Sequence, residues 1–236
     1  MRAMILAAGR GERLRPYTDH TPKPLLEVAG QALIFHHLDA LASTGFRNIV
    51  INLGYLGHQI RDATGDGSKW GINIQYSQEP EGALETGGGI ANALPLLGSE
   101  PFLVLNGDIL CDYSFSRLRA IKCDYAHLVM VPVPAWKNAS DFALRSGRVH
   151  NNGEPGYTYC GISVYHPRFF TGCAQGRWSV VPLLTETIEK HLVTGEIHHG
   201  QWHEVGDVSR FELLRDSTSK SSRRNQTGTV SRGTGP

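Results

Sequence analysis

The sequence predicts an α/β fold, a doubly wound sheet with helices on both faces. Three observations predict it. Short apolar runs alternate with segments of helical period along most of the 236 residues. The first run stops at a glycine-rich loop, as a buried strand feeding a ligand loop does. Hydrophobic residues make up 40% of the chain, enough for a large core and too many for a disordered chain.

Residues 2–7 form that first run and lead into Gly9 and Gly11. Residues 33–44 carry apolar side chains at 33, 34, 38, 41 and 42 and stop at Gly45, a helix with a glycine beyond its end. Asn48–Leu53, N-I-V-I-N-L, is the second strand, 72–76 alternates as a third, and 102–105 is a fourth apolar run. Between the last two, residues 86–97 open with three glycines and continue as a helix. This order calls for parallel pairing with helices on both faces. The later half is more mixed. Residues 127–132, 141–144, 159–165 and 196–199 read as strands, with a helix at 185–192. Asn151-Asn152-Gly153 suggests a hairpin laid over the sheet.

Charge and composition exclude several function classes. Lys and Arg total 23 against 22 Asp and Glu, a net charge of +1. That balance lacks the basic stripe of a nucleic-acid binder. No apolar run approaches the roughly 18 residues that cross a bilayer, and the stretch before Gly9 is too short for a signal peptide. Cys111, Cys123, Cys160 and Cys173 are too far apart for a C-x-x-C pair. They read as ordinary buried thiols of a reducing compartment, so a cytoplasmic protein is expected. Residues 1–215 are expected to form one domain. Residues 216–236, rich in Ser, Thr and Gly, are expected to be a disordered basic tail. Its Lys220, Arg223, Arg224 and Arg232 fit a solubilising extension or a nucleic-acid contact.

The chemistry begins at L-A-A-G-R-G-E-R-L-R-P, residues 6–16, followed by T-P-K-P-L at 21–25. Glycines directly after a strand leave backbone N–H groups free to face an anion. A tight turn is the plain reading of Gly9-x-Gly11. Arg10, Arg13, Arg15 and Lys23 around the same loop favour a phosphate site. There is no G-x-x-x-x-G-K-[ST], which excludes a P-loop, and Leu14 stands where a dinucleotide fingerprint needs its third glycine.

This stretch resembles the signature loop of the sugar-1-phosphate nucleotidylyltransferases, and the likeness runs over about residues 1–215. It implies the family's Rossmann-like mixed sheet, of the nucleotide-diphospho-sugar transferase type. It also implies that Gly11, Glu12 and Arg13 lie at a triphosphate and that Lys23 neutralises charge there, with Lys23 and Arg13 as the catalytic cations. L-E-T-G-G-G-I at 84–90 resembles the segment that meets the base, which assigns Gly82 and Gly87 to the nucleotide. L-N-G-D at 105–108 resembles the metal motif, with Asp108 as ligand. S-D-F at 140–142 and Y-C-G-I-S-V-Y-H-P at 159–167 resemble sugar-side segments. Asn106, Asp141 and Gly161 are therefore assigned to the sugar phosphate. W-H-E-V-G-D at 202–207 resembles the element that closes the site.

Together these segments are most similar to a branch of the family that serves peptidoglycan recycling. The resemblance implies UTP and N-acetylmuramic acid α-1-phosphate as substrates and Mg²⁺ as cofactor. It implies a monomer or small homo-oligomer, with neither nucleic acid nor membrane as partner. The alternatives are another hexose or heptose 1-phosphate with GTP or dTTP, and an inactive regulatory relative.

Two departures bear on the chemistry. The family's second metal ligand is an aspartate, and its place falls on Glu204, with Asp207 as the alternative carboxylate. Ala32 replaces the family's proline ahead of the helix at 33–44, at a cost in loop rigidity. Plain readings stand beside some assignments. Asp108 could cap the following segment, and Asp141 could be an Asx-turn residue. His198, His199 and His203 lack a zinc spacing, and Trp136, Trp178 and Trp202 read as core.

Overall fold

A computed structural model describes residues 1–80 and 84–215. The chain begins with β1 (Ala3–Leu6) and passes through the glycine-rich loop to a small ribbon, β2 (Glu27–Val28) with β3 (Gln31–Ala32). Helix α1 (Leu33–Ser43) buries Leu33, Ile34, His37, Leu38 and Leu41, a single stripe at helical spacing. Next come β4 (Asn48–Leu53), α2 (Gly57–Thr64), β5 (Asn73–Gln78), α3 (Glu85–Leu97) and β6 (Phe102–Asn106). Strands β5, β4, β1 and β6 lie side by side and parallel, with Leu6 in register with Asn106. Their C-terminal ends therefore share one edge, where doubly wound sheets bind ligands.

The second half turns the sheet mixed. It holds β7 (Ile109–Cys111), β8 (Ala126–Pro132), β9 (Phe142–Arg145), β10 (Arg148–His150) and β11 (Gly156–Tyr165). Helix α4 (Val180–Glu189), β12 (Val193–Ile197) and β13 (Trp202–Glu204) follow, and residues 208–215 are helical. β11 runs antiparallel between β6 and β8, and β12 joins β8 in parallel. β10 and β9 continue the sheet, and β9 returns to pair with Gly156 and Tyr157 of β11. β13 and β7 form a separate ribbon beside the end of β6.

Alternation along the central strands feeds two cores. Ala3, Ile5, Ile49, Ile51, Leu103 and Leu105 face α1 and α2 side chains such as Leu38 and Ile60. Met4, Val50, Phe102 and Val104 face Ile90, Leu97, Leu184 and Ile188 of α3 and α4. Period-two strands covered on both sides are what near-continuous apolar runs require. Each Val, Leu, Ile, Met or Phe among them contributes about 1.5–3 kcal/mol on full burial. A third, smaller cluster joins Leu14, Leu26, Val28 and Leu33 to Val205 and Phe211.

Several sequence expectations shift. α4 begins at Val180 rather than 185, because Ser179 caps it, its Oγ accepting from Val181 N at 3.3 Å. The strand expected at 196–199 runs Val193–Ile197, where it finds parallel partners on β8. The expected hairpin turns at Ser146 and Gly147, with φ of 48° and 73°, instead of at Asn151–Gly153. Its strands extend the main sheet and do not lie over it. Helix α2 was not legible, since its eight residues bury only Gly57, Ile60 and Thr64. Of the four cysteines, all free, Cys160 is buried and the other three are only partly so. The expected tail, 216–236, lies outside the described residues.

Candidate active site

At the end of β1 the chain turns back through Ala7–Arg13. Gly11 stands at φ 69° and opens a single 3-10 turn, Glu12–Leu14. A Cβ at Gly11 would meet Thr18 Cγ2 at 3.0 Å and Lys23 Cβ at 3.3 Å, so glycine lets three parts of the loop close together. Thr18 Oγ1 donates to the Gly11 carbonyl at 2.9 Å. Two of the four nearby cations keep this loop in shape. Arg10 donates to Thr18 O at 2.6 Å and to Asp19 at 3.0 Å, and lies 4.0 Å over the Tyr55 ring. Arg15 pairs with Glu12 at 3.2 Å and Asp19 at 3.3 Å. Arg13 has no ion-pair partner among the described residues, and with Lys23 it lines a cavity.

Lys23 is set by its neighbours Pro22 and Pro24, both of them buried. Its Nζ reaches Asp108 Oδ2 at 2.6 Å, the two side chains 14% and 23% exposed. Asp108 follows Asn106 and Gly107 at the end of β6, where Gly107 N donates to Leu6 O at 3.0 Å. The cavity holds about 390 Å³, and Gly11, Glu12, Arg13, Lys23, Asn106 and Asp108 all line it. A volume of several hundred Å³ suits a nucleotide-sized ligand. Nearby, His37 of α1 is fully buried, and burial lowers its pKa to about 4 against the raising pull of Asp108. Its ring is neutral at pH 7 and adds no charge to the site.

The donor set fits a divalent cation. β13 places Glu204 opposite Ile109, and Val205 N donates to Asp108 O at 2.8 Å, so the two acids sit on adjoining backbone. One oxygen of each is held, Asp108 Oδ2 by Lys23 at 2.6 Å and Glu204 Oε2 by Arg210 at 2.7 Å. The other oxygen of each has no hydrogen bond or ion pair to another described residue. No cluster of three or more His, Cys, Asp or Glu exists among the described residues. Two carboxylates with the remaining positions left to phosphate and water form a hard oxygen donor set that suits a divalent cation. Asp207 is spent elsewhere. Its Oδ1 accepts from Arg210 N at 3.0 Å and its Oδ2 pairs with Arg210 Nε at 3.0 Å.

Comparison with known proteins gives this cavity a family. Residues 2–144 match the Nucleotidyl transferase family. The chain belongs to that family. This nucleotidyltransferase is 49% identical over 221 residues to N-acetylmuramate alpha-1-phosphate uridylyltransferase of Neisseria meningitidis serogroup B, covering 90% of this chain and 96% of that one. It is 32% identical over 225 residues to the Caulobacter vibrioides protein of the same name, covering 87% and 91%. Among solved structures it superimposes on a candidate glucose-1-phosphate thymidylyltransferase of Bacillus anthracis with a TM-score of 0.81, covering 99% and 98% at 18% identity. The shared fold is the mixed α/β sheet described above.

Glu204 and the nucleotidyltransferase's predicted Gly87, Asp141 and Gly161 are not among the residues that line the cavity. Gly161, at φ 83°, lies in a bulge of β11 where a Cβ would meet Asn106 Cβ and Ile109 Cγ2 at 3.0 Å. Asp141 Oδ2 accepts from Tyr159 N at 3.0 Å and Lys137 Nζ at 2.5 Å, which ties the loop before β9 to β11. A Cβ on Gly87 would strike the Trp178 ring at 2.3 Å, so that glycine serves helix packing. Glu85 and Thr86, just before it, line the cavity instead. Gly82 lies outside the described residues.

Sequence reasoning missed Asn52 and Glu79, which also line the cavity. Asn52 Oδ1 accepts from Ala7 N at 2.6 Å, and its Nδ2 donates to Glu79 Oε1 at 2.6 Å. Glu79 Oε2 accepts from Leu84 N at 2.7 Å. The available signal was an asparagine inside an apolar strand, since a buried polar group needs partners.

Proposed function

We propose that the chain transfers the uridylyl group of UTP to N-acetylmuramic acid α-1-phosphate, giving UDP-N-acetylmuramic acid and pyrophosphate for the recycling of peptidoglycan. The observation that carries the reaction type is the Lys23–Asp108 pair facing the glycine-rich loop and Arg13 across one cavity. Support for the choice of sugar and base is the 49% identity to a relative of that name along nearly its whole length.

The acceptor brings its own anionic oxygen, so no Ser, Cys or His nucleophile is needed. That oxygen forms a bond to the α-phosphorus of UTP as the bond to the bridging oxygen breaks, and its electron pair leaves with pyrophosphate. Positioning and charge neutralisation are then the protein's task. The Gly9–Gly11 backbone cradles the triphosphate, Arg13 faces the departing pyrophosphate, and Lys23 faces charge building on the transferred group. Asp108 and Glu204 would hold Mg²⁺, which when bound screens the repulsion between the two reacting phosphates. Gly82, Gly87 and the start of α3 are assigned to the base, and Asn106, Gly161 and Asp141 to the sugar phosphate.

The proposal includes a catalytic unit over 1–215, a cytoplasmic location where UTP is at hand, and a monomer or small homo-oligomer. It agrees with the finding that no described helix is long and apolar enough to cross a membrane.

The test is pyrophosphate release with Mg²⁺ across four nucleoside triphosphates and the 1-phosphates of N-acetylmuramic acid, N-acetylglucosamine, glucose and mannose. A sharp maximum at UTP with the muramic sugar is expected. A maximum elsewhere moves the enzyme to another sugar, and silence across the grid makes it an inactive relative.

A further inference from the structure

Three torsions separate the backbone of Glu204 from its carboxylate, one more than in an aspartate. A lone glutamate on a ribbon edge therefore samples several directions, and holding one costs side-chain entropy. Arg210 removes that freedom. Its Nη1 donates to Glu204 Oε2 at 2.7 Å and its Nε pairs with Asp207 Oδ2 at 3.0 Å, while the guanidinium carbon lies 3.7 Å over the Trp136 ring. Trp136 stacks in turn on Trp202, with centroids 6.4 Å apart at 21°, and Trp202 Nε1 donates to Cys160 O at 2.8 Å. The guanidinium is thus held by two acids and an aromatic face, and only a quarter of its side chain is exposed.

A cation beside a metal ligand would ordinarily repel the metal. Here Asp207 has both oxygens on Arg210 and cancels its charge, so orientation is left as the main effect. Asp108 has the same design, with Lys23 on one oxygen and the other oxygen open.

We infer that Arg210 is a positioning residue that fixes the Glu204 carboxylate with one oxygen free for a divalent cation. This rests on the reading of Glu204 as a cation ligand. Loss of an outer-shell partner of this kind typically weakens metal binding by about 10–100-fold.

The experiment is a titration of the full chain with Mn²⁺, followed by the electron paramagnetic resonance of free Mn²⁺. Circular dichroism and melting temperature report folding of each variant. Arg210→Gln is expected to weaken Mn²⁺ binding by about 10-fold, and Arg210→Lys to recover part of that. Glu204→Gln should weaken it at least as much. The discriminating variant is Glu204→Asp, whose shorter side chain has less freedom to restrain. In that background Arg210→Gln should cost under about 2-fold, a coupling that a merely structural arginine would not give. Unchanged or tighter binding in Arg210→Gln, or an equal loss in both backgrounds, overturns the inference alone. Unchanged binding in Glu204→Gln, or no Mn²⁺ binding by the wild-type chain, overturns the ligand reading and the inference together.

Discussion

Lys23 and Asp108 stand 85 residues apart in sequence and 2.6 Å apart in space. The pair is mostly but not fully shielded, so Coulomb attraction and desolvation nearly offset each other, and its net contribution to stability is small. Its value lies in chemistry, because the cation and the carboxylate are pre-set where a triphosphate and a metal would take them up. Fixed charges facing charge that develops in the transition state are worth about 100-fold or more in rate. Lys23→Ala and Asp108→Ala are therefore each expected to lower kcat by at least about 100-fold, with the fold kept and the melting temperature lowered, because removing one partner leaves the other's charge uncompensated. Steady-state pyrophosphate release beside circular dichroism checks both halves of this expectation. Turnover near the parent's in either variant would show that the pair is not part of the reaction.

Glu79, Leu84 and the residue after β1 are joined by one buried hydrogen-bond network. Asn52 on β4 serves Ala7 N and Glu79 at once, and Glu79 serves Leu84 N. Asn52→Ala leaves a buried carboxylate oxygen and a backbone N–H short of partners, at a cost of about 2–4 kcal/mol. Urea unfolding measures that loss. KM for the nucleotide is expected to rise as well, because Glu85 and Thr86 at the start of α3 line the cavity. An unchanged KM beside lowered stability would make the network purely structural. It was also the least legible part of the site. The glycine-rich loop stands out because its glycines and cations lie within one local stretch, and the central strands because their apolar runs are unbroken. Asn52 and Glu79 are 27 residues apart and acquire meaning only when β4 and β5 pair. The displaced start of α4 has a local cause: Pro182 in the first turn reads as a helix breaker, although Ser179 ahead of it caps the helix. At Gly87 the sequence shows the glycine but not the packing demand on it: Glu85 and Thr86 line the cavity, while a Cβ at Gly87 would strike the Trp178 ring.

Across the whole molecule, two large cores fill the faces of the sheet, and a third and smaller one has a different task. It gathers Leu14, the residue after Arg13, and Val205, the residue after Glu204, into one cluster with Phe211 of the helix at 208–215. Tyr17 meets Phe211 edge-on at 4.9 Å and donates to Glu212 at 2.8 Å, which ties the glycine-rich loop to the helix at 208–215. The loop that carries Arg13 and the ribbon that carries Glu204 are thus held by one cluster that the main cores do not supply. Phe211→Ala should cost about 3–5 kcal/mol, and Ile188→Ala, in the core under α4, about 2–5 kcal/mol. Similar losses of stability allow a comparison in which only location differs. In Phe211→Ala the KM for nucleotide and the Mg²⁺ concentration for half-activation should both rise several-fold, measured well below its melting temperature. In Ile188→Ala both should stay near those of the parent chain. If the two variants change these constants alike, the effect follows from general destabilisation, and the small core has no particular hold on the site.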